Sequence, residues 1–109
     1  MINIRAIKVS IIKQLTSLGV FDKVQFVMLY GSHAEGRALP SSDIDIALSL
    51  AMPKKERSQI RLALLYELPL IYDVQIFEDL PLRVKINVLK GKLLFCRQKD
   101  SLAEQALQL

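Results

Sequence analysis

Apolar residues recur every three or four positions at the start of the chain: Ile4, Ile7, Ile11, Leu15 and Leu18. That spacing lines one side of a helix, and Gly19 stands where a C-terminal cap belongs. The β-branched members lower local helix propensity, so this helix depends on tertiary packing. The pattern then changes. Residues 24–30 contain the run Phe26-Val27-Met28-Leu29-Tyr30, which has the length and composition of a buried strand. Residues 32–35 read as a short helical turn, and 37–42, with Pro40 inside, as a loop. A second strand follows at 43–50. Pro53 suits a first helical position, and Ile60, Ala63, Leu64 and Leu68 mark a helix that Pro69 ends. Residues 70–77 form a third strand, with Asp73, Gln75 and Phe77 on one face.

Residues 81–90 carry two conflicting patterns. Leu82, Val84, Ile86 and Val88 alternate, which by period alone means strand. Pro81 before them, Gly91 after them and the Ile86–Leu89 spacing mean helix, and helix is the reading adopted. Residues 92–96 are then a short fourth strand, and 100–107 a terminal helix. Strands interleaved with helices give an α/β fold. The first two strands are joined by too few residues for a helical crossover, so antiparallel pairing enters the sheet.

The length of 109 residues fits a single domain spanning 1–109. The hydrophobic fraction of 51% and charged fraction of 24% are those of a globular chain able to build a core. The net charge of +4 is spread over early, middle and late basic residues, which describes a solvated surface first and an attractive field for ATP or an acidic partner second. No helix-turn-helix, zinc or aromatic RNA-binding signature accompanies it, so direct nucleic-acid binding is not expected. Arg5, Lys8 and Lys13 interrupt any signal-peptide core, and no apolar run reaches membrane-span length. The single cysteine, Cys96, has apolar neighbours and suits a buried thiol, so the expected location is the reducing cytoplasm.

The chemistry sits between the first two strands, in Gly31 to Asp45, GSHAEGRALPSSDID. A strand that ends in Gly31-Ser32 at a helical turn leaves backbone N–H groups free to hold phosphate oxygens. Asp43 and Asp45 are separated by one residue at the start of a strand. Residues i and i+2 share a face with Cα atoms roughly 6.5–7 Å apart. Two carboxylates so placed suit a pair of divalent cations roughly 3.5–4 Å apart, the arrangement used for in-line phosphoryl or nucleotidyl transfer. His33, the only histidine, cannot by itself make a histidine-rich metal site, and Tyr30 and Tyr72 read as packing residues.

Together these residues resemble the DNA polymerase β-type nucleotidyltransferase superfamily, most closely its minimal members. The family pattern is Gly-Ser, about ten residues, Asp-x-Asp, and a later acidic residue on another strand. This chain supplies Gly31-Ser32, Asp43 and Asp45, and then Asp73, with Gly36-Arg37 and Ser42 between the halves. The resemblance implies a minimal nucleotidyltransferase fold, a short mixed sheet with helices mainly on one face, and a helix before the last strand. It implies Asp43, Asp45 and Asp73 as catalytic, metal-binding residues for two Mg²⁺ ions, with Mn²⁺ able to substitute. Asp73 would also help deprotonate the acceptor hydroxyl, with Glu78 as the next candidate for that third position. Gly31, Ser32, Arg37 and Ser42 would bind the nucleotide, ATP.

Minimal members lack the extra domain that holds an acceptor, so the acceptor comes from a partner. In this family the partner is typically a HEPN toxin whose tyrosine is AMPylated by the antitoxin. The alternative is a non-catalytic nucleotide-binding antitoxin that neutralises its toxin by complex formation. Ile2, Val9 and Ile12 lie off the first helical stripe, and Leu102, Ala106 and Leu109 form another. Such patches suit a partner surface or self-association.

Overall fold

The computed structural model describes residues 3–98. The expected terminal helix, and Ile2, Leu102, Ala106 and Leu109, lie outside the described residues. Helix α1 spans Ile4–Ser17, with the Asn3 side chain accepting from the Ala6 N–H at its start. At its end the N–H groups of Gly19 and Val20 turn back to the carbonyls of Thr16 and Leu15, a Schellman closure. Ile7, Ile11 and Leu15 are the buried members of the predicted stripe, and Val9 is exposed. Strands β1 (Val24–Tyr30) and β2 (Ile44–Leu50) pair antiparallel, as the short connection required. Helix α2 (Lys54–Glu67) then returns the chain so that β3 (Tyr72–Ile76) lies parallel to β2. Helix α3 (Leu82–Leu89) leads to β4 (Lys92–Cys96), antiparallel to β1. The sheet order is β3-β2-β1-β4.

Pro53 and Pro81 are N-cap residues in extended conformation, one position before each helix begins. Their fixed φ suits that position, and their missing N–H costs nothing there. The alternation of Leu82, Val84, Ile86 and Val88 is that of a helix. Val84 and Val88, at i and i+4, pack against the sheet, while Leu82 and Ile86 face solvent.

The two sheet faces are covered unequally. Val27, Leu29, Ile44, Ile46, Leu48, Val74 and Ile76 share a core with α1 and α2. On the other face a smaller cluster of Phe26, Met28, Ala47, Phe77 and Val88 is covered by α3. Phe26 and Phe77 meet edge-to-face at 5.1 Å between centroids, a geometry worth about 0.5–1.5 kcal/mol beyond burial. β1 bulges between Val24 and Phe26, and nearby the Leu50 N–H and the buried Ser49 hydroxyl both donate to Glu78. The uncovered part of this face, at the Tyr30 end of β1, is where the acidic residues gather.

Candidate active site

Cross-strand register builds the site. Tyr30 on β1 lies opposite Asp45 on β2, and Asp45 lies opposite Asp73 on β3. The three side chains therefore stand in one row on one face, on strands about 4.8 Å apart. Asp43 precedes β2 as an exposed residue and lies close enough to Asp45 to act on its charge. The half-buried Asp45 carboxyl is pushed above the usual aspartate range, first by desolvation, then by the negative charges of Asp73 and Asp43, with His33 pulling the other way. The Tyr30 phenol is pushed up to about 12 by burial and by the same two carboxylates, Asp45 and Asp73. Tyr30 thus keeps its proton at any physiological pH and remains a hydrogen-bond donor beside the acids.

Gly31 follows directly, at φ +73°. A Cβ there would overlap the Asp45 carboxylate, 3.2 Å from its Cγ and closer still to Oδ2. Its carbonyl accepts from the N–H groups of Ala34 and Glu35, both at 3.1 Å, which closes the expected turn. The N–H groups of Ser32 and His33 have no backbone acceptor among the described residues, as expected at the open start of a helical turn. Gly31→Ala should therefore lower the melting temperature markedly, since the new methyl must displace the Asp45 carboxylate as well as bear the backbone strain. Gly36→Ala has the same backbone strain (φ +72°) but open space around the new methyl, so it should cost only the strain, roughly 1–2 kcal/mol. Thermal melts of both variants check the difference.

The loop is pinned at its far end. The His33 imidazole donates from Nε2 to the Ser42 carbonyl at 3.0 Å, joining the Gly31–Ser32 turn to the residue before Asp43. The Ser42 hydroxyl accepts from the Leu39 N–H at 2.9 Å, and its own N–H donates to the Leu39 carbonyl. The Ser42 side chain closes the loop in this way. Arg37 pairs with Glu35 on the exposed outer side of the turn, with side chains 67% and 58% accessible, so its guanidinium is engaged there rather than with the acidic row. In the sequence His33 shows only as a lone histidine without metal-site partners, and its bond to Ser42 is not legible there. A lone imidazole nine residues before a turn-forming serine carries no pattern that would reveal it. His33→Ala should lower stability by about 1 kcal/mol, the worth of one lost hydrogen bond. His33→Gln, which keeps a donor, should restore most of it in a thermal melt.

Asp73 is held by its strand neighbour. Gln75 Nε2 donates to Asp73 Oδ1 at 3.0 Å. The other acids near the end of β3 are engaged elsewhere. Glu78 accepts from Ser49 and Leu50. Asp79 takes a two-point ion pair from Arg57, which holds its carboxyl below the usual range. Tyr72 lies on the opposite face, where burial raises its phenol and Ser10 on α1 hydrogen-bonds it.

The donor set of Asp43, Asp45 and Asp73 is all hard oxygen, the chemistry of Mg²⁺ rather than of Zn²⁺ or copper. Among the described residues no three acidic, cysteine or histidine side chains already converge as a closed metal cage. Asp43, Asp45 and Asp73 thus form an open set rather than a closed cage. Mg²⁺ fits such an open set, because it keeps water and substrate phosphate oxygens in its shell.

Residues 11–100 match the family described as polymerase beta, nucleotidyltransferase. A Methanocaldococcus jannaschii protein named for protein adenylyltransferase activity, MJ1547, is 39% identical over 74 residues, 67% of this chain and 57% of the relative. The matched part is thus a little over half the length of that curated relative. Among solved structures, a toxin–antitoxin complex with AMP-PNP is 25% identical with a TM-score of 0.69, covering 93% of this chain and 84% of the other. A tri-AMPylated Shewanella oneidensis HEPN toxin in complex with an MNT antitoxin gives 22% identity and a TM-score of 0.65, over 97% and 85% of the two chains, a likeness of fold. Among the described residues no helix is long and apolar enough to cross a membrane.

Proposed function

This chain belongs to the polymerase beta nucleotidyltransferase family, and from that premise we propose that it transfers AMP from ATP to a tyrosine hydroxyl of a partner HEPN toxin. The observation that supports this reading best is the row on one sheet face: Asp45 beside Asp73, with Asp43 adjacent and the Gly31 backbone closed onto the Asp45 carboxylate. The protein adenylyltransferase name of the relative and the AMP-PNP in a toxin–antitoxin neighbour support adenylyl transfer in particular.

Asp43, Asp45 and Asp73 would hold two Mg²⁺ ions, or Mn²⁺ in their place, which when bound neutralise phosphate charge and activate the attacking hydroxyl. The chain's own groups do the rest. The N–H groups of Ser32 and His33, which have no backbone acceptor among the described residues, receive phosphate oxygens, and the missing Cβ at Gly31 lets the backbone approach the Asp45 carboxylate. The neutral Tyr30 phenol adds a donor without adding a fourth negative charge. Asp73 Oδ1 is engaged by Gln75, so Oδ2 is the oxygen left to accept the acceptor's proton. The acceptor oxygen bonds to the α-phosphorus, the bond from that phosphorus to the bridging oxygen breaks, and pyrophosphate leaves.

Intact-mass spectrometry of the chain mixed with its HEPN partner, Mg²⁺ and ATP tests the reading. The partner's mass should rise by one or more AMP units, and fragmentation should place them on tyrosine. A stable complex with no mass change would replace transfer by neutralisation through binding alone. No complex and no mass change would end both readings.

A further inference from the structure

We propose that the exposed side of α3, formed by Leu82, Arg83, Ile86 and Lys90 and extended by Leu93 on β4, docks an acidic, amphipathic segment of the acceptor protein. The proposal rests on the protein-acceptor reading above and names the surface that would recognise that protein.

Its position follows from packing and register. The inner side of α3 contributes Val84, Val88 and Leu89 to the cluster that includes Phe26, Met28, Ala47 and Tyr30. The helix therefore lies on the same sheet face as Asp45 and Asp73. Its C-terminal end leads to Lys92, which pairs with Leu29, the residue before Tyr30. A segment lying along α3 is thus led toward the carboxylate row. Leu94 is buried with the opposite face, so by alternation its neighbour Leu93, opposite Met28, faces the α3 side.

Charge specifies the occupant. From Leu80 to Gln98 the sequence holds Arg83, Lys85, Lys90, Lys92 and Arg97 and no Asp or Glu. Two of these cations are engaged within the fold. Lys85 lies over the Phe77 ring at 5.5 Å, and Arg97 donates to the carbonyls of Val24 and Phe21 and stacks on Phe21 and Phe95. Arg83, Lys90 and Lys92 are exposed, and among the described residues none forms an ion pair. An acidic protein approaching the bare carboxylate row would be repelled; cations beside the row give it a place to bind.

The apolar side chains then favour protein over nucleic acid. Leu82, Ile86 and Leu93 are 53%, 41% and 48% exposed among these cations. Leu82 and Ile86, four residues apart, present one helical stripe, the pattern that meets an amphipathic partner helix. Single-stranded nucleic acid instead needs aromatic platforms, and no exposed aromatic residue lies on α3 or among the described residues of β4.

A fluorescent poly(Glu,Tyr) copolymer serves as an acidic, tyrosine-bearing probe, and anisotropy without ATP reads binding alone. The double variant Arg83→Glu/Lys90→Glu should weaken binding about tenfold, as two favourable rim pairs become repulsive. The control Lys8→Glu/Lys13→Glu on α1 changes net charge equally and should stay within about twofold if the surface rather than the net charge is read. Leu82→Ser/Ile86→Ser should weaken binding several-fold at unchanged charge. Equal losses in both charge-reversed pairs, or no loss with the serine pair, would overturn the proposal. So would poly(U) RNA binding more tightly than the copolymer in an α3-dependent way. Adding Mg²⁺ and radiolabelled ATP separates the two readings. Binding that depends on α3 without label transfer upholds the docking surface and counts against catalysis. Transfer that ignores the α3 variants does the reverse.

Discussion

Asp45→Asn should cut nucleotidyl transfer by about three orders of magnitude while making the metal-free protein harder to melt. The first effect follows from the proposed role: a carboxylate that would hold the metal contributes several kcal/mol of transition-state stabilisation, and about 4 kcal/mol corresponds to roughly 10³ in rate. The second follows from the surroundings of Asp45. Desolvation, Asp73 and Asp43 raise its folded-state pKa above the ordinary aspartate value. The folded state then holds this proton more tightly than the unfolded state. Stability therefore falls as pH rises from the ordinary aspartate range through the raised pKa, and above that pKa the penalty is fully present. Asparagine mimics the protonated form and removes that penalty. The variant should melt higher than the wild type at pH 7 without metal, and the gap should close in acid, below the ordinary aspartate range. Mg²⁺ should raise the wild-type melting temperature and leave the variant nearly unmoved. Melting curves at three pH values, with Mg²⁺ and with EDTA, check all three. A variant less stable than wild type at neutral pH would show that Asp45 is a structural ligand of the fold rather than a repelled member of an acidic row.

Much of this geometry could be read from the chain because the relevant order is local. The apolar runs give β1 and β4 at the observed bounds, and the stripe of Ile7, Ile11 and Leu15 gives α1. The distance from Gly31 to Asp45 is likewise a property of one short segment. What periodicity within one strand cannot supply is the register between strands. Tyr30 reads as a packing residue, and it does pack on the α3 side of the sheet. Only pairing with Asp45 shows that it also borders the acidic row. The same limit applies to Glu78. By sequence it is the next acid after Asp73, but the chain leaves β3 for a 3₁₀ turn at Phe77–Asp79, and Glu78 swings back to Ser49 and Leu50. At residues 81–90 the local boundary signals, Pro81 and Gly91, decide for helix over the alternation, and helix is what forms. One side of that segment meets a sheet face that only the completed fold presents.

Asp73→Asn should separate binding from chemistry. ATP affinity in the presence of Mg²⁺ should stay within about threefold of wild type, because Asp43 and Asp45 still hold the metal that carries the triphosphate. Transfer should fall about 10²–10⁴-fold, the usual worth of a positioned general base. The hydrogen bond from Gln75 makes this variant a clean one. Gln75 Nε2 donates to Asp73 Oδ1, and an asparagine can turn its carbonyl oxygen to the same donor. Its NH₂ group then occupies the place of Oδ2, a donor where an acceptor is required. The local structure is kept and the proton acceptor is lost. Calorimetry with a non-hydrolysable ATP analogue and a radiolabelled transfer assay measure the two quantities on the same sample. Equal losses in both would make Asp73 a ligand for the nucleotide's metal, on a par with Asp45. Transfer at the wild-type rate would move the base elsewhere. Glu78 is a poor substitute, since both of its carboxylate oxygens are already held, one by the Ser49 hydroxyl and the other by the Leu50 N–H.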